Sequence, residues 1–426
     1  MSTEAGKAPR IFYGWWLVVI SLLVQSVGFG SSLYVYSVVA TPLGEAYPGG
    51  RALVMMGATG VVLCAALLSP RVGALLDRFP IKWIMIVGSI IMGLGFIWIG
   101  LSRHIWHVIV AYALFVSVGL ATLSPLTCST LLARWFSKKR GLALGIASLG
   151  TQFGGLIFPP LLANLIVLYD WRVAMLGLGA GIILIMPLLA YFLVVDRPKE
   201  KGGDHGASAE SHADVSRKHE FGVTFFDLCR RRAFVLVAVA IACTSMVNVA
   251  VITNLSLFAI DLGESNESGA YLVSVFFVLG MIASPLVGHY CDILSNRLIG
   301  LVLFAISGTA SVVFMLSVNY QTLMLAVLLQ GFVGGGVFPL LASLVGRIFQ
   351  TRIYGRVMGA MTFAMLATTA VAPVLSGWIY DITGSYRLMF LIMLLVTLVA
   401  MACLFLLRMP ASNNDKIGPQ LSRAAI

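Results

Sequence analysis

Unbroken apolar stretches separated by short polar breaks run along the whole chain. The apolar positions do not alternate with polar ones, as they would in barrel strands. They continue for about twenty residues or more, the pattern of helices that cross a bilayer. Runs at 11–39, 53–76, 81–101, 105–132, 141–168, 172–195, 233–261, 269–291, 298–318, 321–346, 354–380 and 386–408 can each span about 30 Å of hydrocarbon at about 1.5 Å per residue. One long polar stretch, 196–232, rich in charge, Gly and Ser, divides them six and six. The expectation is an all-α membrane protein with a bundle over 1–195, a linker over 196–232, a second bundle over 233–408 and a tail over 409–426. Residues 220–232 (EFGVTFFDLCRRR) read either as a short helix on the membrane surface or as solvated linker.

Composition agrees. Of 426 residues 59% are hydrophobic and 11% charged, where soluble domains carry about 25% charged residues. Such a chain cannot cover its own surface with polar groups in water, so an ordinary soluble enzyme and a disordered protein are excluded. The net charge of +11 reflects topology and not nucleic-acid binding, because the basic residues sit in short loops and form no stripe interleaved with exposed aromatics. Of the 28 Lys and Arg residues, all but Arg51, Arg103, Arg172 and Arg387 fall on the side of the termini and linker. That asymmetry predicts a multi-pass protein of the inner or plasma membrane with both termini cytoplasmic. The first run is too long for a signal-peptide core and reads as a retained helix. Six cysteines, five of them inside apolar runs and none in a CxxC spacing, read as small core residues.

The two sets of six runs repeat one another. GALLDR at 73–78 and GHYCDI at 288–293 place Asp77 and Asp292 215 residues apart. RWFSKKRGLALG at 134–145 and RIFQTRIYGRVMG at 347–359 place Arg134 and Arg347 213 apart. Pro125 with Pro339, Pro159 with Pro373 and Arg172 with Arg387 keep offsets of 214 or 215. A near-constant offset over five pairs indicates two pseudo-symmetric six-helix bundles, and parallel repeats of this kind hold a site near the midplane between them.

On these residues the chain resembles the major facilitator superfamily, whose loop motif is GxxxDR after the second helix; here it reads GALLDRFPIK. YGWW at 13–16 and RWFSKKRGLALGIASLG at 134–150 are similar to the bacterial monocarboxylate/oxalate–formate group. The resemblance implies twelve helices, a cavity lined by helices 1, 4, 7 and 10, and alternating access. It also exposes departures. Where carboxylate carriers of the group have an arginine before a proline in helix 8, this chain has Ser284 before Pro285; where oxalate carriers have a lysine in helix 11, it has Leu366 or a near neighbour.

Asp77, Arg78, Arg134, Asp292 and Arg347 form the expected gating set. An acid at such a helix end can accept N–H bonds at a neighbouring helix N-terminus and pair with an arginine of the 4–5 loop, latching one conformation; the alternative is a solvated topology charge. Glycines at a spacing of four in helices 5 and 11 permit close helix approach, though static bundles use them too. No Lys, Arg, Asp or Glu stands near the middle of a run, so recognition falls to neutral polar groups: Tyr34, Tyr36, Gln152, Asn248, Asn254, Ser284 and Gln330. Gln25, Ser31, Ser32, Ser124 and Thr127 belong to the same inward-facing set, for which interhelical hydrogen bonds are the other reading. His104 and His107 have metal-pair spacing without acidic or Cys partners, so no metal or cofactor is expected.

A membrane-embedded enzyme would need a nucleophile–base set or metal ligands; no HExxH, GxSxG or P-loop is present. A sensor would carry an output domain, for which the tails are short. The expected function is secondary transport of a small organic solute, a monocarboxylate or related organic acid, by a monomer embedded in the lipid bilayer. The alternative is export of a neutral or amphipathic compound. Helix 5 reads GTQFGGLIFPP at 150–160 without the proline of the GPxxGG-like antiporter signature, which counts against a multidrug exporter.

Overall fold

The computed structural model describes residues 13–47, 50–136, 139–196, 225–264, 266–349 and 353–407. Most of the expected linker, and the tail at 409–426, lie outside these residues. Among the described residues the secondary structure is helical, and twelve helices are long and apolar enough to cross a membrane. Hydrocarbon offers no partner for backbone N–H and C=O groups, so each apolar run satisfies them within its own helix.

The first six are α1 (Tyr13–Ala40), α2 (Gly50–Arg78), α3 (Ile81–Gly100), α4 (Ile105–Trp135), α5 (Arg140–Tyr169) and α6 (Trp171–Leu193). After a short helix at Phe225–Cys229 come α7 (Arg232–Asp261), α8 (Asn266–Ile293), α9 (Asn296–Leu316), α10 (Tyr320–Ile348), α11 (Tyr354–Thr383) and α12 (Arg387–Phe405).

Side chains tie helices together inside each half. Gln25 Nε2 donates to the Ala147 carbonyl (2.9 Å) and Ser26 Oγ to that of Gly150 (2.8 Å), fixing α1 on α5. Asn296 Nδ2 donates to Ser343 Oγ (2.7 Å), joining α9 to α10. Asp196, just beyond α6, accepts the Ile81 N–H at 2.7 Å and caps α3. Burial raises its carboxyl above the usual carboxylate range, while that bond and Arg134 oppose the rise.

Three irregularities fall in the first half. Gly30–Tyr34 in α1 and Ala111–Val116 in α4 are π-helical turns, and α4 is interrupted at Leu123 and Ser124 before restarting on Pro125. Proline lacks an N–H and suits the first position of a helix, and it drives the preceding Ser124 into extended backbone (φ −97°, ψ 170°). Its counterpart Pro339 sits inside the continuous α10.

Candidate solute cavity and the seam beneath it

The halves meet in a seam on the linker side, at the end of the molecule where α1 begins and α12 ends. Asp77 at the end of α2 accepts the Gly355 and Arg356 N–H groups at the start of α11, both at 2.9 Å. Its repeat partner Asp292, at the end of α8, accepts those of Gly141 and Leu142 at the start of α5, at 2.6 and 2.9 Å. Each carboxylate therefore caps a helix of the opposite half, where free N–H groups and the positive end of the helix dipole favour negative charge. Charge-assisted bonds of this kind contribute about 1.5–3 kcal/mol each.

The repeated arginines bind the acid-bearing helices as well as lying near the acids. Arg134 Nη2 donates to the Leu76 carbonyl, and Arg347 Nη2 to the Cys291 carbonyl at 2.6 Å, each one residue before the acid. Arg356 makes an ion pair with Asp77 (Nε to Oδ2, 3.8 Å), with both side chains nearly buried, and Arg134 acts on the same carboxylate. Arg78 is exposed at the end of α2.

Glycine makes the closure possible. A Cβ on Gly141 would collide with the Gly288 carbonyl, and one on Gly73 with the Gly355 carbonyl. At the centre, the Arg140 guanidinium lies 4.6 Å from the ring centroid of Tyr354. These two residues are 214 apart and equivalent in the repeat, so their contact marks the pseudo-twofold axis.

Beyond the seam lies a cavity of about 480 Å³ between the halves, within the range of small-molecule sites. On α2 its lining consists of Ala58, Thr59 and Val62. Val62, the nearest of these to the latch, is fifteen residues from Asp77, about 22 Å along the axis. The wall is mostly apolar and includes the rings of Phe29, Tyr34, Phe276, Phe277 and Phe338. Tyr34 packs edge-on against Phe277 of the other half (centroids 5.9 Å, 83°). The π turn of α1 delivers Tyr34 to the wall, and Gly155 backs its ring, where a Cβ would come within 3.3 Å.

Of the expected binding residues, the structure brings Tyr34, Gln152 and Asn248 to the cavity wall. Gln152 faces α8, its Nε2 3.2 Å from where a Gly280 Cβ would stand. Asn248 is held on both sides: Nδ2 donates to the Thr244 carbonyl (2.9 Å), and Oδ1 accepts from Gln330 Nε2 (3.1 Å), whose Oε1 accepts from Ser307 (3.2 Å). Gln330, fully buried, thus stands behind the wall and orients a residue on it.

Ser284 is in the seam, bonded to Ser148 Oγ at 2.5 Å and to the Gly145 carbonyl at 2.9 Å. A small side chain is needed there because α5 and α8 touch at Gly145 and Pro285. Tyr36 and Asn254 lie away from the cavity. Tyr36 donates to the Val54 carbonyl and packs edge-on against Tyr112 inside the first half, since two residues, about 200° of helix, beyond Tyr34 the side chain faces its own bundle core. Asn254 is buried and turned back on its own helix, donating to the Ala250 carbonyl at 2.8 Å.

Helices α2, α5, α8 and α11 contribute to the wall as well as α1, α4, α7 and α10. Sequence reasoning passed over Thr59, Thr151, Ser245, Thr369 and the phenylalanines. A phenylalanine within an apolar run carries no mark of whether it faces lipid, core or solute.

Two reciprocal caps close one end of a paired six-helix frame with a cavity between the pairs, the architecture of a membrane transporter built from parallel repeats. The chain matches the profile of the Major Facilitator Superfamily over residues 18–318 and 271–424, and it belongs to that superfamily. Its relatives include "Probable transporter MCH2" of Saccharomyces cerevisiae, 23% identical over 372 residues (87% of this chain, 76% of the relative). Human "Monocarboxylate transporter 12" is 23% identical over 360 residues (78% and 68%). Among solved structures, the human organic anion transporter MFSD10 (TETRAN) superposes with a TM-score of 0.66 at 16% identity, covering 92% of this chain and 97% of that one; this likeness concerns the fold. The protein is a multi-pass transporter-family membrane protein of the bilayer.

Proposed function

We propose that the chain is a secondary transporter that moves a monocarboxylic or related small organic acid by alternating access, acting as a monomer without a cofactor. The observation that carries this reading is the placement of a neutral cavity between two halves that are latched at one end through repeated Asp-to-helix caps. The linker and both chain ends face the cytoplasm of the inner or plasma membrane, so the described state is closed inward. A carboxyl group is held by the hydroxyl and amide groups of Tyr34, Gln152 and Asn248. The relatives named as monocarboxylate transporters support the solute class, and a lining without a cation among the described residues favours molecules that do not need one.

The test is flux through reconstituted full-length protein carrying Asp77→Cys and Arg356→Cys. Oxidative cross-linking of the pair is expected to stop counterflow of organic acids, and reduction to restore it. Flux that continues through the cross-linked protein would reject alternating access at this seam. A second reading, export of a neutral or amphipathic compound, is favoured by the largely apolar wall. The direction of net flux in loaded cells separates the two.

A further inference from the structure

We infer that the cavity receives its solute uncharged and holds it by a planar ring set among Phe29, Tyr34, Phe276, Phe277 and Phe338. The inference rests on the carrier reading and narrows its substrate class.

Charge is the first argument. Among the described residues, those lining the cavity include no Lys, Arg, Asp, Glu or His. Along the eight lining helices, every charged residue is at least seven positions from the lining residues of its own helix, about 10 Å of axial rise. Those at the seam are engaged there: Asp77 and Asp292 on backbone N–H groups, Arg140 on Tyr354, Arg356 on Asp77. A carboxylate entering this wall would shed water and meet no counter-charge, which strongly disfavours the ionised form. An acid that enters with its proton attached meets no such penalty. It then carries that proton itself, and no protein side chain has to relay one.

Shape is the second. A two- or three-carbon acid would leave most of a cavity of about 480 Å³ unfilled. The rings come from both halves: Phe29 and Tyr34 from α1, Phe276 and Phe277 from α8, Phe338 from α10. Neighbouring pairs already sit edge to face, Tyr34 on Phe277 and Phe276 on Phe277, each at 5.9 Å. That is the arrangement in which one more flat ring finds both faces and edges to meet. Asn248, pre-oriented by Gln330, supplies a polar contact at its margin.

The full-length protein in nanodiscs is titrated with benzamide, benzoic acid, benzenesulfonate and the ringless butyramide, reading the shift in thermal unfolding midpoint. Benzamide is expected to stabilise equally at all pH values tested. Benzoic acid should stabilise with an apparent affinity that falls about tenfold per pH unit above its own carboxyl range. Benzenesulfonate and butyramide should have little effect, and Phe277→Leu should weaken benzamide severalfold while Tyr36→Phe does not. Benzenesulfonate or butyramide binding as well as benzamide, pH-independent benzoic acid binding, or no stabilisation by any ring compound would each overturn the inference. Because the readout is binding, its failure is separable from that of the carrier reading. Counterflow of linear carboxylates by a protein that ignores ring compounds sinks only this inference. Benzamide binding by a protein that moves nothing sinks only the other.

Discussion

The two latches occupy equivalent places and are not equal. Asp77 and Asp292 each take two N–H bonds from a helix of the other half. Asp77 also has an ion pair to Arg356, whose equivalent at the start of α5 is Leu142. The same contrast runs through the halves. The first carries two π turns and a broken α4, while α10 continues through the matching proline. The second carries the Ser307–Gln330–Asn248 chain. Positions kept in the repeat, Asp77 with Asp292, close the molecule from both sides, and positions that depart from it, such as Arg356 against Leu142, make the two closures unequal.

The largest expected effect attacks what the latches share. Gly288→Val would drive a side chain into the backbone of α5, and turnover should fall on the order of a hundredfold; initial uptake rates at saturating solute check it. Next come the acids themselves. Asp77→Ala is expected to lower turnover about tenfold and Asp292→Ala about threefold, with the solute KM nearly unchanged in both. Equal losses would erase the asymmetry, and Leu142→Arg, which offers Asp292 the missing partner, should sharpen it by slowing opening of the seam. Smaller effects belong to the wall. Asn248→Ala should raise KM about tenfold and Gln330→Leu about threefold without matching loss of maximal rate. A Gln330→Leu variant that lost only thermal stability would reduce that residue to a packing role. The smallest is Tyr36→Phe, expected to leave KM untouched and to cost about 1 kcal/mol of stability in thermal unfolding.

The frame was readable in the sequence because the bilayer enforces it. Twelve apolar runs became twelve helices, and the offset of about 214 brought Asp77 and Asp292 to mirrored places. The cavity was only partly readable. Tyr34, Gln152 and Asn248 are polar groups that hydrocarbon would not tolerate, and they do face the cavity. Ser284 and Gln330 obey the same rule but satisfy it against other protein groups, and polarity cannot distinguish these outcomes. Tyr36 and Tyr34 differ by two residues and face opposite ways, because two residues are about 200° of helix, while the π turn at Gly30–Tyr34 sets the phase in which both arrive. No residue type announces such a turn. That the acids grip the opposite half was also hidden, since a loop motif names its residues and not its partner.

Along α2 the Asp77 cap stands about 22 Å from the nearest cavity-lining residue, Val62, although on α5 the seam runs up to the wall at Ser148. A molecule wedged between the Gly73 and Gly355 backbones would therefore stall the cycle without competing with cargo. Mutational drift in the aromatic wall would retune preference while leaving the rim's timing intact. Speed and choice can be inherited, and inhibited, as separate traits.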